Sequence, residues 1–214
     1  MSVTVIPINK GVFLFLEGMN TEMKKSIEKT VLENIELQKS LLSNNEFIES
    51  ISRVVRLIFQ VLESQGKIVI CGNGGSASDS QHFAAELIGR FKSERDPLPA
   101  MCINSDVATM TAIANDYGYD NVFLRQTEGI LMQNDILIGL STSGESSNVY
   151  NAILEAKRKG IKTVAFLGKS GGRIKSIADE YILIPSYNTA RIQECHLTCI
   201  HIICNLLEEF KHVN

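Results

Sequence analysis

The sequence predicts a single parallel α/β domain, and three observations carry that expectation. From residue 67 onward, five short apolar runs alternate with stretches of helix length. The runs are apolar on consecutive residues, which suits strands buried on both faces, as parallel strands are. The chain has 214 residues, 44% of them hydrophobic, enough for one domain with a full core and too little for two typical ones.

Residues 1–20 read poorly as part of the fold. They are an N-terminal arm, an added strand, or a stretch upstream of a natural start at Met19 or Met23, and the sequence leaves these open. The domain is expected over 21–214. A helix is expected over 21–42, with Thr21 as N-cap and an apolar stripe through Ile27, Val31, Ile35 and Leu42. Residues 44–65 repeat the pattern with Phe47, Ile51, Val54, Val55, Ile58 and Leu62, closed by Gly66. Both helices precede the first strand, so they pack on something other than its crossover, and an oligomer interface is one natural use. Strands follow at 67–71, 99–104, 136–140, 163–167 and 181–184. Between and after them come helices at 76–91, 107–115, 121–132, 147–159, 173–178 and 189–210. Alternation of this kind implies right-handed crossovers in one sheet, with ligands bound beyond the carboxyl ends of its strands.

Composition excludes several classes. The formal net charge is -3, so no general attraction to nucleic acid is expected. No apolar run approaches the ~18 residues that span a bilayer, and residues 12–16 are too short for a secretory core. Five cysteines without a small-domain framework indicate reduced thiols and a cytoplasmic protein. Cys195 and Cys199 lie one helical turn apart beside His196; core thiols are the reading preferred over a metal site.

Two strand-to-helix loops stand out. The first, Cys71-Gly72-Asn73-Gly74-Gly75-Ser76, permits a tight turn with exposed N–H groups, and Ser76 is expected to cap the next helix, whose N-terminus favours an anion. It has no following Gly-Lys-Ser/Thr and no complete GxGxxG, so neither a Walker loop nor a dinucleotide site is indicated. The second, Ser141-Thr142-Ser143-Gly144-Glu145-Ser146-Ser147, offers up to five hydroxyls where one cap needs one. An uncharged hydroxyl cradle suits a sugar monophosphate.

Groups capable of chemistry lie on two helices. His82 and Glu86 are four apart, on one face after the glycine loop. The last helix carries Gln193, Glu194, His196 and His201 among apolar residues. Gln193 and His201 are eight residues apart, ~12 Å along the axis, so their long side chains reach one ion beside the helix only at full stretch. A single histidine in such a setting is ordinarily a satisfied core or surface residue.

Together these motifs resemble the sugar isomerase (SIS) domain family, and within it the members that isomerise a heptose phosphate. The resemblance covers about residues 24–210 and rests on Cys-Gly-Asn-Gly-Gly-Ser at 71–76, His-Phe-Ala-Ala-Glu-Leu at 82–87, and Ala-Asn-Asp-Tyr-Gly at 114–118. It continues with Ser-Thr-Ser-Gly-Glu-Ser at 141–146 and Ala-Arg-Ile-Gln-Glu-Cys-His at 190–196. It implies a flavodoxin-like three-layer fold with a five-stranded parallel sheet and extra N-terminal helices, assembled as a homotetramer with active sites between subunits. It implies conversion of D-sedoheptulose 7-phosphate to D-glycero-D-manno-heptose 7-phosphate, supplying heptose for surface polysaccharide, lipopolysaccharide core or capsule. By position, Ser76, Ser141, Thr142, Ser143 and Ser146 match phosphate-binding hydroxyls. His82, Glu86, Gln193 and His201 match a zinc and active-site set, one ion per subunit, with Glu86 as base and His201 as acid. Asn73, Gly74, Arg90, Asn115 and Asp116 match substrate-contact or site-organising positions. Ala190 stands where some members carry an aspartate. Two alternatives accompany this reading: a non-catalytic SIS protein that binds a replication initiator, and an isomerase of another sugar phosphate. The first lacks the glutamate and second histidine present here.

Overall fold

The computed structural model describes the backbone of residues 10–211 and the side chains of residues 19–210. The chain divides into two units, residues 1–40 and 41–214. The first is most of one long helix, α1 (Lys10–Leu42). This helix begins well before Thr21, so the expected cap at Thr21 is an interior residue. Residues 10–20, which the sequence leaves open between an arm, an added strand and a stretch upstream of the start, form its opening turns. Residues 1–9 lie outside the described set. Along α1, Met19, Met23, Ile27, Val31 and Ile35 recur every fourth residue and are exposed, Ile27 to 64% and Val31 to 52%. That spacing lines one helical face.

The second unit is α2 (Asn45–Glu63), β1 (Ile68–Gly72), α3 (Gly75–Ile88), β2 (Ala100–Cys102), α4 (Val107–Tyr117) and a 3-10 turn (Tyr119–Asn121). It continues with α5 (Val122–Ile130), β3 (Ile136–Ser141), α6 (Ser147–Arg158), β4 (Lys162–Gly168), α7 (Gly172–Lys175), β5 (Glu180–Ile184) and α8 (Thr189–Lys211). The five strands form one parallel sheet in the order β2-β1-β3-β4-β5. This is the flavodoxin-like sheet expected.

Asn44 caps α2, its side chain accepting from Phe47 N at 3.2 Å. The end of α2 differs from expectation. The left-handed residue is Gln65 (φ 59), not Gly66. Gly66 is required for space: a Cβ there would sit 1.9 Å from the Asn134 carbonyl oxygen.

Strand residues alternate between two cores. Val69, Cys71, Leu137, Ala165 and Leu167 pack with Phe123, Val149, Ile153 and Ile174 under α5, α6 and α7. On the other face Phe166 meets Phe83 of α3 at 6.3 Å and His196 of α8 at 5.7 Å between ring centroids. There α2 lies against β5 and α8, pinned by Arg53 Nε donating to Glu180 at 2.9 Å. Fully burying a Phe, Leu, Ile or Val side chain contributes about 1.5–3 kcal/mol, and burial on both faces explains the apolar middles of the inner strands β1, β3 and β4. Among the described residues no helix is long and apolar enough to cross a membrane.

Candidate active site

The sheet order places the site. From β1 the chain crosses to β2, and from β3 it crosses the opposite way to β4. Neighbouring strands whose crossovers diverge leave a crevice at their carboxyl ends. The glycine and serine loops flank that crevice, because Gly72 ends β1 in register with Leu140 of β3.

In the first loop Gly74 takes φ 55, ψ -121, a region open essentially to glycine alone. The N-cap of α3 is Gly74 with no side-chain bond, so Ser76 does not cap as expected. Ser76 lies in the first turn, buried at 3% exposure, because α3 starts one residue earlier. The Gln193 amide rests against Gly75, where a Cβ would come within 2.1 Å of its nitrogen.

In the second loop Ser141 is the hub. Its Oγ lies 2.9 Å from Ser146 Oγ and 3.4 Å from Ser143 Oγ, and accepts from Gly144 N at 3.1 Å. Ser143 Oγ accepts from Glu145 N at 3.1 Å, and Thr142 is half-buried between them. The one acid, Glu145, is exposed and turned to α7, where it accepts from Arg173 N at 3.1 Å. The hydroxyls therefore share bonds with each other and with backbone, free of a carboxylate that would repel a phosphate.

A residue not picked out from sequence joins the loops. Asn148, 2% exposed, forms a reciprocal amide pair with Asn73: Asn73 Nδ2 donates to Asn148 Oδ1 at 2.8 Å, and Asn148 Nδ2 to Asn73 Oδ1 at 2.9 Å. Tyr119 OH also donates to Asn73 Oδ1, at 3.0 Å. The signal was present: Asn148 falls in line with Ala152 and Ala156 on the buried face of α6, a polar residue in an apolar stripe.

The reacting groups meet farther along α3. His82 and Glu86 come from its inner turns and His201 from α8. His82 Nε2 and His201 Nε2 are 2.9 Å apart, and His82 Nε2 is 3.6 Å from Glu86 Oε1. At that separation one imidazole donates N–H to the other's lone pair. Glu86 is 24% exposed at its side chain, facing His82. The Phe91 ring lies 5.5 Å from His201. One turn before His82, Asp79 has a buried Oδ2 without a hydrogen-bond partner. Burial pushes its carboxyl up to about 6, against the pull of His82.

Other candidates stand apart. Gln193, expected within reach of the ion with His201, lies at Gly75, seven residues before His82 on α3 or about 10 Å by helical rise. Arg90 is exposed and 4.0 Å from Glu94. Asn115 and Asp116 are exposed at the end of α4, where Asn115 donates to Asp116 at 2.8 Å. None of the three bonds to either loop among the described residues: Arg90 lies past the end of α3, and α4 buries none of its side chains in this chain. For zinc, the donor types at His82, Glu86 and His201 suit the ion. Their arrangement is self-satisfied, however, and among the described residues no three His, Cys, Asp or Glu side chains are placed to hold a metal. His196 is fully buried and bonded at 3.1 Å to the Leu167 carbonyl, a core residue as expected. Burial drives its pKa down to about 4. All five cysteines are free and buried.

The family model of the SIS domain matches residues 19–168. The phosphoheptose isomerase of a Nitratiruptor species is 49% identical over 187 residues, spanning 84% of this chain and 99% of the relative. That of a Helicobacter pylori strain is 52% identical over 167 residues, 78% and 87% of the two chains. The solved phosphoheptose isomerase from Neisseria gonorrhoeae superposes with a TM-score of 0.82 at 35% identity, over 87% of this chain and 99% of that one. The chain therefore belongs to the SIS domain family and, within it, to the phosphoheptose isomerases.

Proposed function

We propose that this chain interconverts D-sedoheptulose 7-phosphate and D-glycero-D-manno-heptose 7-phosphate. The observation that carries the reading is the convergence of Glu86, His82 and His201 about two turns along α3 from a crevice lined by uncharged hydroxyls. The names of relatives at about half identity support it. They give no support to the initiator-binding alternative.

A ketose–aldose isomerase takes a proton from the carbon beside the carbonyl and returns one to its neighbour. Ser141, Thr142, Ser143, Ser146 and Ser76 hold the phosphate, trading their mutual bonds for bonds to its oxygens. Glu86, 3.6 Å from His82, is the base that moves the carbon-bound proton. His201 exchanges protons with the sugar oxygens, as an imidazole does near neutrality, and His82 orients it through the 2.9 Å bond. Zinc belongs to this proposal on donor chemistry alone: His82, Glu86 and His201 would hold it, Gln193 joining them only by moving from its place at Gly75, and it would polarise the carbonyl oxygen. None of these steps depends on it. Phosphate and carbonyl lie at opposite ends of the seven-carbon chain, which suits a hydroxyl site and a histidine cluster separated along α3.

The exposed apolar face of α1 and the exposure of Arg90, Asn115 and Asp116 support a homotetramer with active sites between subunits, and the free, buried cysteines suit the reducing cytoplasm. Steady-state assay of Glu86→Gln with sedoheptulose 7-phosphate tests the reading. Turnover is expected to vanish while the substrate still protects the protein against thermal unfolding. Turnover at the wild-type rate removes Glu86 from the mechanism.

A further inference from the structure

We propose that Arg95 and Glu208 form a buried clamp that positions Glu86 and His201 for proton transfer. The inference rests on the isomerase reading. Both side chains are almost wholly buried, Arg95 to 3% and Glu208 to 5% exposure, with Arg95 Nε donating to Glu208 Oε1 at 3.1 Å. They lie outside the reacting cluster, yet each holds a segment that carries it.

Arg95 closes the end of α3. Its guanidinium donates to the Glu86 carbonyl at 2.7 Å, Leu87 at 2.9 Å, Gly89 at 3.3 Å and Asp96 at 3.1 Å. The last carbonyls of a helix have no partner within it, and a cation there also opposes the helix dipole. One of those carbonyls belongs to Glu86 itself, so the guanidinium fixes the backbone from which the base projects.

Glu208 gathers the following loop. It accepts from Phe91 N at 2.9 Å, Lys92 N at 3.0 Å and Ser93 N at 2.9 Å. Burial alone would raise its carboxyl, but these N–H groups and Arg95 outweigh that and hold it below the usual range. It is therefore an anion with every contact charge-assisted. The loop it holds places the Phe91 ring against His201, and Glu208 itself lies seven residues, or about two turns, after His201 on α8. A buried ion pair is weak grounds for stability by itself. This one joins α3 to α8 just beyond the point where His82, 3.6 Å from Glu86, meets His201.

Arg95→Lys in the assembled full-length protein tests the clamp. Lysine keeps the charge but lacks the planar fork that reaches several carbonyls. Expected are a folded protein of unchanged oligomeric state, kcat for sedoheptulose 7-phosphate down at least tenfold, and KM within twofold. Exchange of the substrate's carbon-bound proton with deuterated solvent should slow with kcat. A folded variant with wild-type kcat and exchange overturns the proposal, since a purely structural role lowers only the melting temperature. If Arg95→Lys does not assemble, Phe91→Leu leaves the ion pair intact and removes the ring that packs against His201 and under the Lys92 ammonium. The same fall in kcat is expected there, and wild-type turnover overturns the proposal equally. Inactive wild-type protein would instead sink the isomerase reading.

Discussion

His196 gives a stability prediction whose size follows from its surroundings. The ring is fully buried in α8 between Phe166 and the Leu167 carbonyl, and its pKa falls from 6.5 to about 4. The folded form therefore refuses a proton that the unfolded chain accepts. Stability from this residue is complete above the unfolded value and is lost as pH falls from about 6.5 toward about 4. Between pH 7 and pH 5 the linkage relation gives a loss of about 2 kcal/mol. Asp79 works the other way, since its raised carboxyl takes a proton in the folded state first. Comparison with His196→Gln, which keeps a donor for the Leu167 carbonyl, cancels that contribution. Urea unfolding followed by circular dichroism, at one protein concentration because assembly adds stability, should show the wild-type advantage shrinking by about 2 kcal/mol from pH 7 to pH 5. An advantage that stays constant with pH refutes a buried neutral histidine.

Asn148→Ala removes the reciprocal amide pair that ties the glycine loop to the serine loop. At about 1 kcal/mol per net hydrogen bond, KM should rise roughly 5- to 30-fold with kcat little changed, and a KM equal to wild type in steady-state assays counts against the tie. Ile27→Glu combined with Val31→Glu places charge on the exposed face of α1; sedimentation should show the proposed tetramer reduced to smaller species, and an assembly of unchanged size removes that face from the proposed interface.

The order of elements was legible because period and length carry it. Five mainly apolar runs of strand length, each followed by a stretch of helix length, leave little freedom once the sheet is parallel. The loops were legible for the same local reason, since glycine and serine density is visible in a few residues. Boundaries were less so. Ser76 reads as a cap by residue type, yet Gly74 takes that place because only glycine tolerates its backbone angles. Thr21 reads as a cap, yet helix continues through it from Lys10.

What local reading misses is partnership across the chain. His82 meets His201 across 119 positions, Arg95 meets Glu208 across 113, and Asn73 meets Asn148 across 75. In each pair at least one member looks ordinary by its neighbours: Arg95 sits in a loop that reads as solvated, and Glu208 near the end of a helix rich in polar residues. A parallel sheet brings distant segments together, so its polar contacts are long-range by construction. Burial is what singles these residues out, because a charge or amide removed from water must be matched. The polar residues that fall on apolar stripes are thus where a sequence of this class conceals its site, and Asn148 on α6 shows that the stripe itself points to them.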